Sequence, residues 1–484
     1  MSQARRVARN TSFLTIGQVL AYGMNALFLI LLARYLGVDG FGVWNFAVAL
    51  TAFFSIFVNF GLGTLATREI ARDPASANKY LGHVIPIQVI FGVIAFSVSA
   101  LLVNVLGYSQ QTIYVVYILT VGIVVTTISS QFSSVFQAFE RMGFTALATI
   151  ISNAAALCGA VIGILLHVNV VGIALFYLIA NGVALAFSYA LCARDFFVPQ
   201  LGIDVAFWRN VLKEAWPMAV LALGVLLYFR IDVIILSLLK GDAAVGLYSV
   251  AYNFSEATTV VPTMFISALF PVLSRLHQEK SKQSFTDVCA KSIKYMLCIA
   301  LPMAFTVTLW APAIIITIFG SAYSGSVLAL QIIIWSAVAM YVSIILGRTF
   351  IAANLQALNM KIVMTTVVFN VILNVLVIPR YSYIGASYTT VATEVWDLSL
   401  CLYFLRRYGH DLGLRSASGP PILGLSVIAA STVLLWSQNV PLLLTTVIDL
   451  AVYAAIIYKL GLTDDDKLLI AAVLKRSGEA EAET

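Results

Sequence analysis

Arg230, Asp232 and Glu256 lie inside two apolar runs that meet at Lys240-Gly241-Asp242. Arg230 stands eleven residues before Gly241, and Glu256 ten after Gly246. At about 1.5 Å per helical residue each is roughly 15 Å from the turn, half of a hydrocarbon core of roughly 30 Å. Ionised groups at that depth need a partner, water or a substrate. A guanidinium stays charged there and matches phosphate oxygens bidentately. It matches Glu256 equally well, in which case the pair pins one helix to the next. Asp232 follows Arg230 by two positions, about 200° round the helix, so the two face different ways. Tyr228 shares the face of Asp232, while Tyr252 and Asn253 share that of Glu256. Tyrosine rings, an amide and carboxylates suit sugar rings and their hydroxyls, or simply pack between helices.

A second constellation is Glu394 with Asp397, three apart on one helical face inside another apolar run. Two carboxylates in a low dielectric do not both ionise readily, so one holds a proton or the pair shares a cation. This makes them candidates for coupling to H+ or Na+, with an ordinary hydrogen-bonded acid as the alternative. Arg34 and Arg348 lie near the ends of apolar runs, where their side chains either snorkel to the interface or attract phosphate. Arg68, Arg72 and Arg141 read as solvated or lipid-headgroup contacts. Five cysteines, all in or beside apolar runs, point to free thiols in helices and away from a disulfide framework or zinc site. No catalytic group, metal site or cofactor is indicated.

The elements that hold these residues are membrane helices. With 61% hydrophobic and 10% charged residues over 484 positions, the chain departs from a soluble domain, where about a quarter of residues are charged. Apolar runs of about twenty residues recur from end to end, giving about fourteen transmembrane helices. Of the 28 Lys and Arg residues, Arg34, Lys240 and Arg380 fall in outer segments and Arg230 mid-span, while the rest fall in inner ones. That asymmetry predicts cytoplasmic termini in an inner-membrane, multi-pass protein, and the charge of +6 is no argument for nucleic acid.

The chain repeats itself. A shift of 204 lays Gly37 on Gly241, Gly42 on Gly246 and Trp44 on Tyr248; a shift of 213 lays Gly172 on Gly385. Two pseudo-repeated six-helix lobes of the same topology are expected, 1–198 and 215–409. Between them, 199–214 reads as a linker with a short interfacial helix. Two extra C-terminal helices follow in 410–462, then a cytoplasmic helix and tail in 463–484, with Thr463-Asp464 as the cap. Under the repeat, the counterparts of Arg230, Asp232, Glu256, Glu394 and Asp397 are Ala26, Phe28, Ala52, Asn181 and Ala184. The uncharged copy argues that the fold does not need the charges. Pro86, Pro262, Pro302 and Pro312, with Gly61 and Gly63, are expected to bend their spans.

The segments Ala33-Arg34-Tyr35-Leu36-Gly37, Phe41-Gly42-Val43-Trp44, Arg230-Ile231-Asp232 and Gly246-Leu247-Tyr248 with Glu256 resemble the polysaccharide-transporter family of lipid-linked oligosaccharide flippases. That family shares a superfamily with multidrug and toxin extrusion antiporters and lipid II flippases. The resemblance implies two lobes around a central cavity, alternating access, and transfer of a polyprenyl-(pyro)phosphate-linked oligosaccharide for polysaccharide biosynthesis. Its partners would be the lipid-linked glycan, membrane lipids and glycan-assembly proteins. Two alternatives stay open: a cation-coupled multidrug antiporter, which would favour acidic cavity walls, and a non-transport glycan-assembly protein. The short outer loops leave little room for a catalytic domain. With no Gly-Lys dipeptide anywhere, there is no phosphate-binding loop for an ATP-driven pump.

Overall fold

A computed structural model of the chain describes residues 3–279, 281–409 and 414–462. Among these, every regular element is helical. Twelve stretches are long and apolar enough to cross a membrane. Two of them, Gly17–Arg72 and Gln356–Arg407, run to 56 and 52 residues. At about 1.5 Å per residue each is long enough for two crossings of a core of roughly 30 Å, which reconciles twelve stretches with about fourteen spans. Apolar side chains lie exposed along single faces, as on α3 (Ala77–Val105), where Val89, Val93, Val98 and Leu101 point outward. Such a surface belongs in lipid, and the chain is a multi-pass membrane protein. The terminal helix expected from Thr463-Asp464 lies outside the described residues.

Internal contacts divide the chain into two compact units. The first comprises Met1–Val250, Ile315–Gly325 and Asn370–Ala386. In it α1 (Gln3–Asn59) packs on α4 (Gln110–Ala138), α5 (Met142–Leu165) and α7 (Val205–Lys240), while α6 (Val170–Asp195) packs on α4 and α5. α1 turns at Gly37, whose φ of 67° and ψ of −174° suit only glycine. The following span breaks again at Phe60-Gly61 (φ 49° and 75°) before α2 (Leu62–Arg72).

The linker departs from expectation. Residues 205–214 form no separate interfacial helix but the first turns of α7, which continues unbroken to Lys240. The reason is packing: Val211 and Ala215 are buried with Leu62, Leu65, Val84 and Ile87, and Phe207, Trp208 and Leu212 lie against the same cluster. Arg68, expected to be solvated, pairs with Glu69 at 2.7 Å and with Glu214. The extended segment before α7 runs against α3, where Gly202 N–H donates to the Gly82 carbonyl at 3.2 Å.

The second unit comprises Ala251–Ile314, Ser326–Phe369 and Ser387–Thr484. Here α9 (Val260–Gln278) packs on α12 (Ser336–Ala352), and α14 (Leu414–Ser437) on α15 (Leu442–Ile456). Its core gathers Ile266, Phe285, Met296, Tyr341, Ile345 and Phe350. The last helix pair is tied internally, Thr432 Oγ1 lying 2.5 Å from Asp449 Oδ2. It is also tied to α10 (Lys282–Ile318), where Trp310 Nε1 donates to Thr446 Oγ1 at 2.8 Å.

The prolines sit at different places in their helices. Pro86, Pro302 and Pro312 sit inside continuous helices. Pro262 lies in the first turn of α9, just after the break at 258–259, where a missing N–H costs nothing. α13 (Gln356–Arg407) turns at Ser382, with φ 52° and ψ −139°.

Candidate functional site

The corner between α7 and α8 (Asp242–Ala257) is built on glycines. Gly241 turns the chain at φ 79°, and the starts of two spans cross beside it. A Cβ on Gly42 would collide with the Asp242 carbonyl oxygen, and one on Gly246 with that of Val38. Because 38 and 42 shift by 204 onto 242 and 246, the two contacts are reciprocal copies of one another. Small residues four apart let helix backbones approach closely in a membrane.

Close by, Asp232 is 4% exposed. Its Oδ2 accepts from the Tyr248 hydroxyl and its Oδ1 from the Val233 N–H at 2.8 Å. Asp232 therefore ties α7 to α8. In the first copy the same two positions are Phe28 and Trp44, packed with ring centroids 5.6 Å apart and both against Tyr177. One contact slot is filled by aromatic packing in one repeat and by a carboxylate–phenol hydrogen bond in the other. Tyr228 and Arg230 are half-buried, with the Tyr228 ring edge-on to Phe229 at 4.9 Å.

Arg34 is not drawn to this group. Its guanidinium donates to the carbonyl of Ile318, at 2.7 Å, and to that of Thr317. These are the last carbonyls of α10, so Arg34 caps that helix, where a cation also complements the dipole. Lys240 does likewise for the Pro379 carbonyl at 2.7 Å. Tyr323 buttresses this end by donating to the Ala33 carbonyl at 2.9 Å.

The remaining residues named from sequence belong to the second unit. Tyr252 is buried, with Asn253 and Glu256 half-buried in the last turns of α8. The helix then breaks at 258–259, and the Thr259 hydroxyl folds back to the Glu256 carbonyl at 2.7 Å. Tyr341, fully buried on α12, donates to the Thr258 carbonyl at 2.7 Å and so satisfies a backbone group the break sets free. Arg348, also on α12, is exposed.

Glu394 and Asp397 are 3% and 7% exposed. Asp397 Oδ1 accepts from the Thr366 hydroxyl at 3.2 Å, and Cys401 Sγ lies 3.8 Å from its other oxygen. The same helix buries Ser387, Thr389, Thr390 and Thr393. Two buried carboxylates three residues apart do not both ionise readily in a low dielectric, and Thr366 supplies one hydroxyl to Asp397.

Sequence reading identified the acids and named Tyr248 only through the repeat and the family resemblance, without a role, and it missed Tyr341 and the threonine run. Phenols and hydroxyls in apolar helices carry no period of their own. The one available signal was Tyr248 aligning with Trp44 across the repeat.

The fold defines a polytopic helical membrane protein. It aligns with the solved structure of the lipid II flippase MurJ in an inward closed conformation over 92% of this chain and 97% of that one, with a TM-score of 0.74 and 14% identity. The polysaccharide biosynthesis protein family matches residues 7–277, and the chain belongs to that family. A second match, to the MatE family, covers residues 217–376. Among relatives, a probable low-salt glycan biosynthesis flippase of Haloferax volcanii is 24% identical over 83% of this chain and 84% of its own. A capsular polysaccharide biosynthesis protein of Staphylococcus aureus is 23% identical over 83% of this chain and all of its own.

Proposed function

We propose that the protein carries a polyprenyl-(pyro)phosphate-linked oligosaccharide across the cytoplasmic membrane by alternating access, in the biosynthesis of a surface polysaccharide or glycan. The observation that carries this reading is the difference between the repeats. Where the first copy has Ala26, Phe28, Ala52, Asn181 and Ala184, the second has Arg230, Asp232, Glu256, Glu394 and Asp397. The aromatic slot of Phe28 and Trp44 supports the view that these positions pack well without charge, so the charges serve something besides folding. The relatives, a glycan biosynthesis flippase and a capsular polysaccharide biosynthesis protein by name, support the same substrate class.

In this reading Arg230 meets the phosphate oxygens. Tyr228, Tyr252, Asn253 and Glu256 contribute polar and aromatic contacts to the sugars, and Arg348 adds positive charge at a span end, while Asp232, held by Tyr248 and the Val233 N–H, contributes by fixing α7 against α8 and not by direct contact. Arg34, spent on the end of α10, contributes through that helix rather than by direct contact. Glu394 and Asp397 take up H+ or Na+ and couple its gradient to the conformational cycle. No resident cofactor enters the cycle, and glycan-assembly proteins would supply and collect the lipid-linked glycan.

The MatE match over residues 217–376 favours one rival, a cation-coupled multidrug antiporter, for which Arg230 is a hindrance. Export of glycan in cells carrying Arg230→Glu separates the two. The flippase reading expects loss of at least tenfold, with partial rescue by Arg230→Lys. Unchanged export in the charge-reversed variant would contradict it.

A further inference from the structure

The break in the first unit at Phe60-Gly61 leaves a polar notch that no folding requirement explains. Just past it, Gly63 is helical and half-exposed. A Cβ there would meet Ser134 Oγ at 3.4 Å, Asn59 Oδ1 at 3.6 Å and Gln131 Nε2 at 3.6 Å. All three are ordinary contact distances, so space does not exclude a side chain. The backbone does not demand glycine either, since alanine favours a helix. The repeat agrees, because Gly63 shifts by 204 onto Ser267, inside continuous α9. What the glycine does is leave three polar groups around the position a side chain would take.

Gln131 makes that space a site. It is 1% exposed, and neither its amide oxygen nor its amide nitrogen has a hydrogen-bond partner, although buried amides are almost always paired. Its Nε2 points at the notch. Ser134 spends its hydrogen on the Ser130 carbonyl at 3.2 Å, which leaves its oxygen free to accept, and Asn59 Oδ1 already accepts the Gly63 N–H at 3.3 Å. The N-cap of α2, Gly61, has no side-chain cap.

We infer that the Gly63 notch, floored by Gln131 and rimmed by Asn59 and Ser134, is a subsite for a hydroxyl or other neutral polar group of a glycan. An uncharged set that both donates and accepts suits a sugar hydroxyl, which does the same. None of the three side chains carries the charge a phosphate would call for. The inference rests on the flippase reading above and deepens it by giving the first repeat, poor in buried charge, a share in recognising the sugar.

The test uses the full chain in lipid nanodiscs. The probes are undecaprenyl pyrophosphate with and without an attached disaccharide, with phosphatidylglycerol as reference, read by thermophoresis. The wild type binds the disaccharide-bearing lipid about tenfold more tightly than the bare one, as one or two buried hydrogen bonds allow. Gly63→Ala, which fills the notch, and Gln131→Leu each bring that ratio to about one. Gly23→Ala, at an open helical position, leaves it at the wild-type value. The melting temperature of Gly63→Ala is no lower than wild type, so a misfolded variant is distinguishable from an occupied notch. A ratio that survives in Gly63→Ala, or both lipids weakened alike with the ratio intact, overturns the subsite. A wild type that prefers the polyprenyl lipids but ignores the sugar overturns the subsite alone. A wild type that binds neither better than phosphatidylglycerol overturns the flippase reading, and the subsite with it.

Discussion

Asp232 shows how far a single buried acid can be read. Its carboxylate is tied to the Tyr248 phenol and the Val233 N–H, so truncating one partner leaves the other unsatisfied, which costs more than the bond itself contributed. Tyr248→Phe is expected to lower stability by about 1–2 kcal/mol, the range found for hydrogen bonds between membrane helices. Replacing both partners as the first repeat does, Asp232→Phe with Tyr248→Trp, should cost less than the sum of the single changes. Thermal unfolding in nanodiscs checks both, and strict additivity would mean the two side chains do not share one slot. The acid itself was legible in the sequence, being an ionisable residue in an apolar run. Its partnership with Tyr248 was not, because the repeat marks the tyrosine only by its alignment with Trp44 and a hydrophobic pattern does not show which buried groups meet. Arg34 failed in a different way. A cation near a span end has lipid, solvent, substrate and a neighbouring helix end to choose from, and only tertiary structure brings the Ile318 carbonyl to it.

Among the elements, glycine and serine corners carry the testable content. Gly42 and Gly246 each lie against a carbonyl of the other span, so alanine at either forces the backbones apart. Overpacking of this kind costs about 1–3 kcal/mol. The two single variants should lose similar stability, and the double variant less than twice as much, because the first methyl already opens the shared crossing. The repeat of Gly42 at Gly246 was visible in the sequence, whereas the reciprocal contact it creates was not. Ser382 occupies a backbone region, φ 52° and ψ −139°, that favours glycine. Ser382→Gly is therefore expected to stabilise the chain by about 0.5–1 kcal/mol, and a fall in unfolding temperature would contradict that. The breaks at 258–259 and 334–335 had no glycine to announce them. They are sustained by tertiary partners, of which Tyr341 on the Thr258 carbonyl is one. The linker misled: Phe207 and Val211 make an amphipathic face for α2 and α3 as readily as for lipid.

For the whole molecule, the polar inventory is divided between the repeats, and that division drives the account. The span pattern, the duplication and the family were open to sequence because bilayer thickness imposes a length and a composition on every crossing. The placement of work was not, because it depends on which polar groups share a face across spans distant in the chain. If Glu394 and Asp397 couple an ion, Glu394→Gln and Asp397→Asn should bind substrate normally yet lose the acceleration that a gradient gives. The measurement that bears most directly on the central claim is leaflet transfer of a fluorescent undecaprenyl pyrophosphate-linked disaccharide in proteoliposomes, with and without a proton or sodium gradient. Wild-type protein is expected to transfer the probe at a rate that a gradient quickens, Glu394→Gln and Asp397→Asn to transfer it without that response, and Arg230→Glu to show no transfer above protein-free vesicles. Transfer by Arg230→Glu at the wild-type rate, or no transfer by the wild type under any gradient, would contradict it.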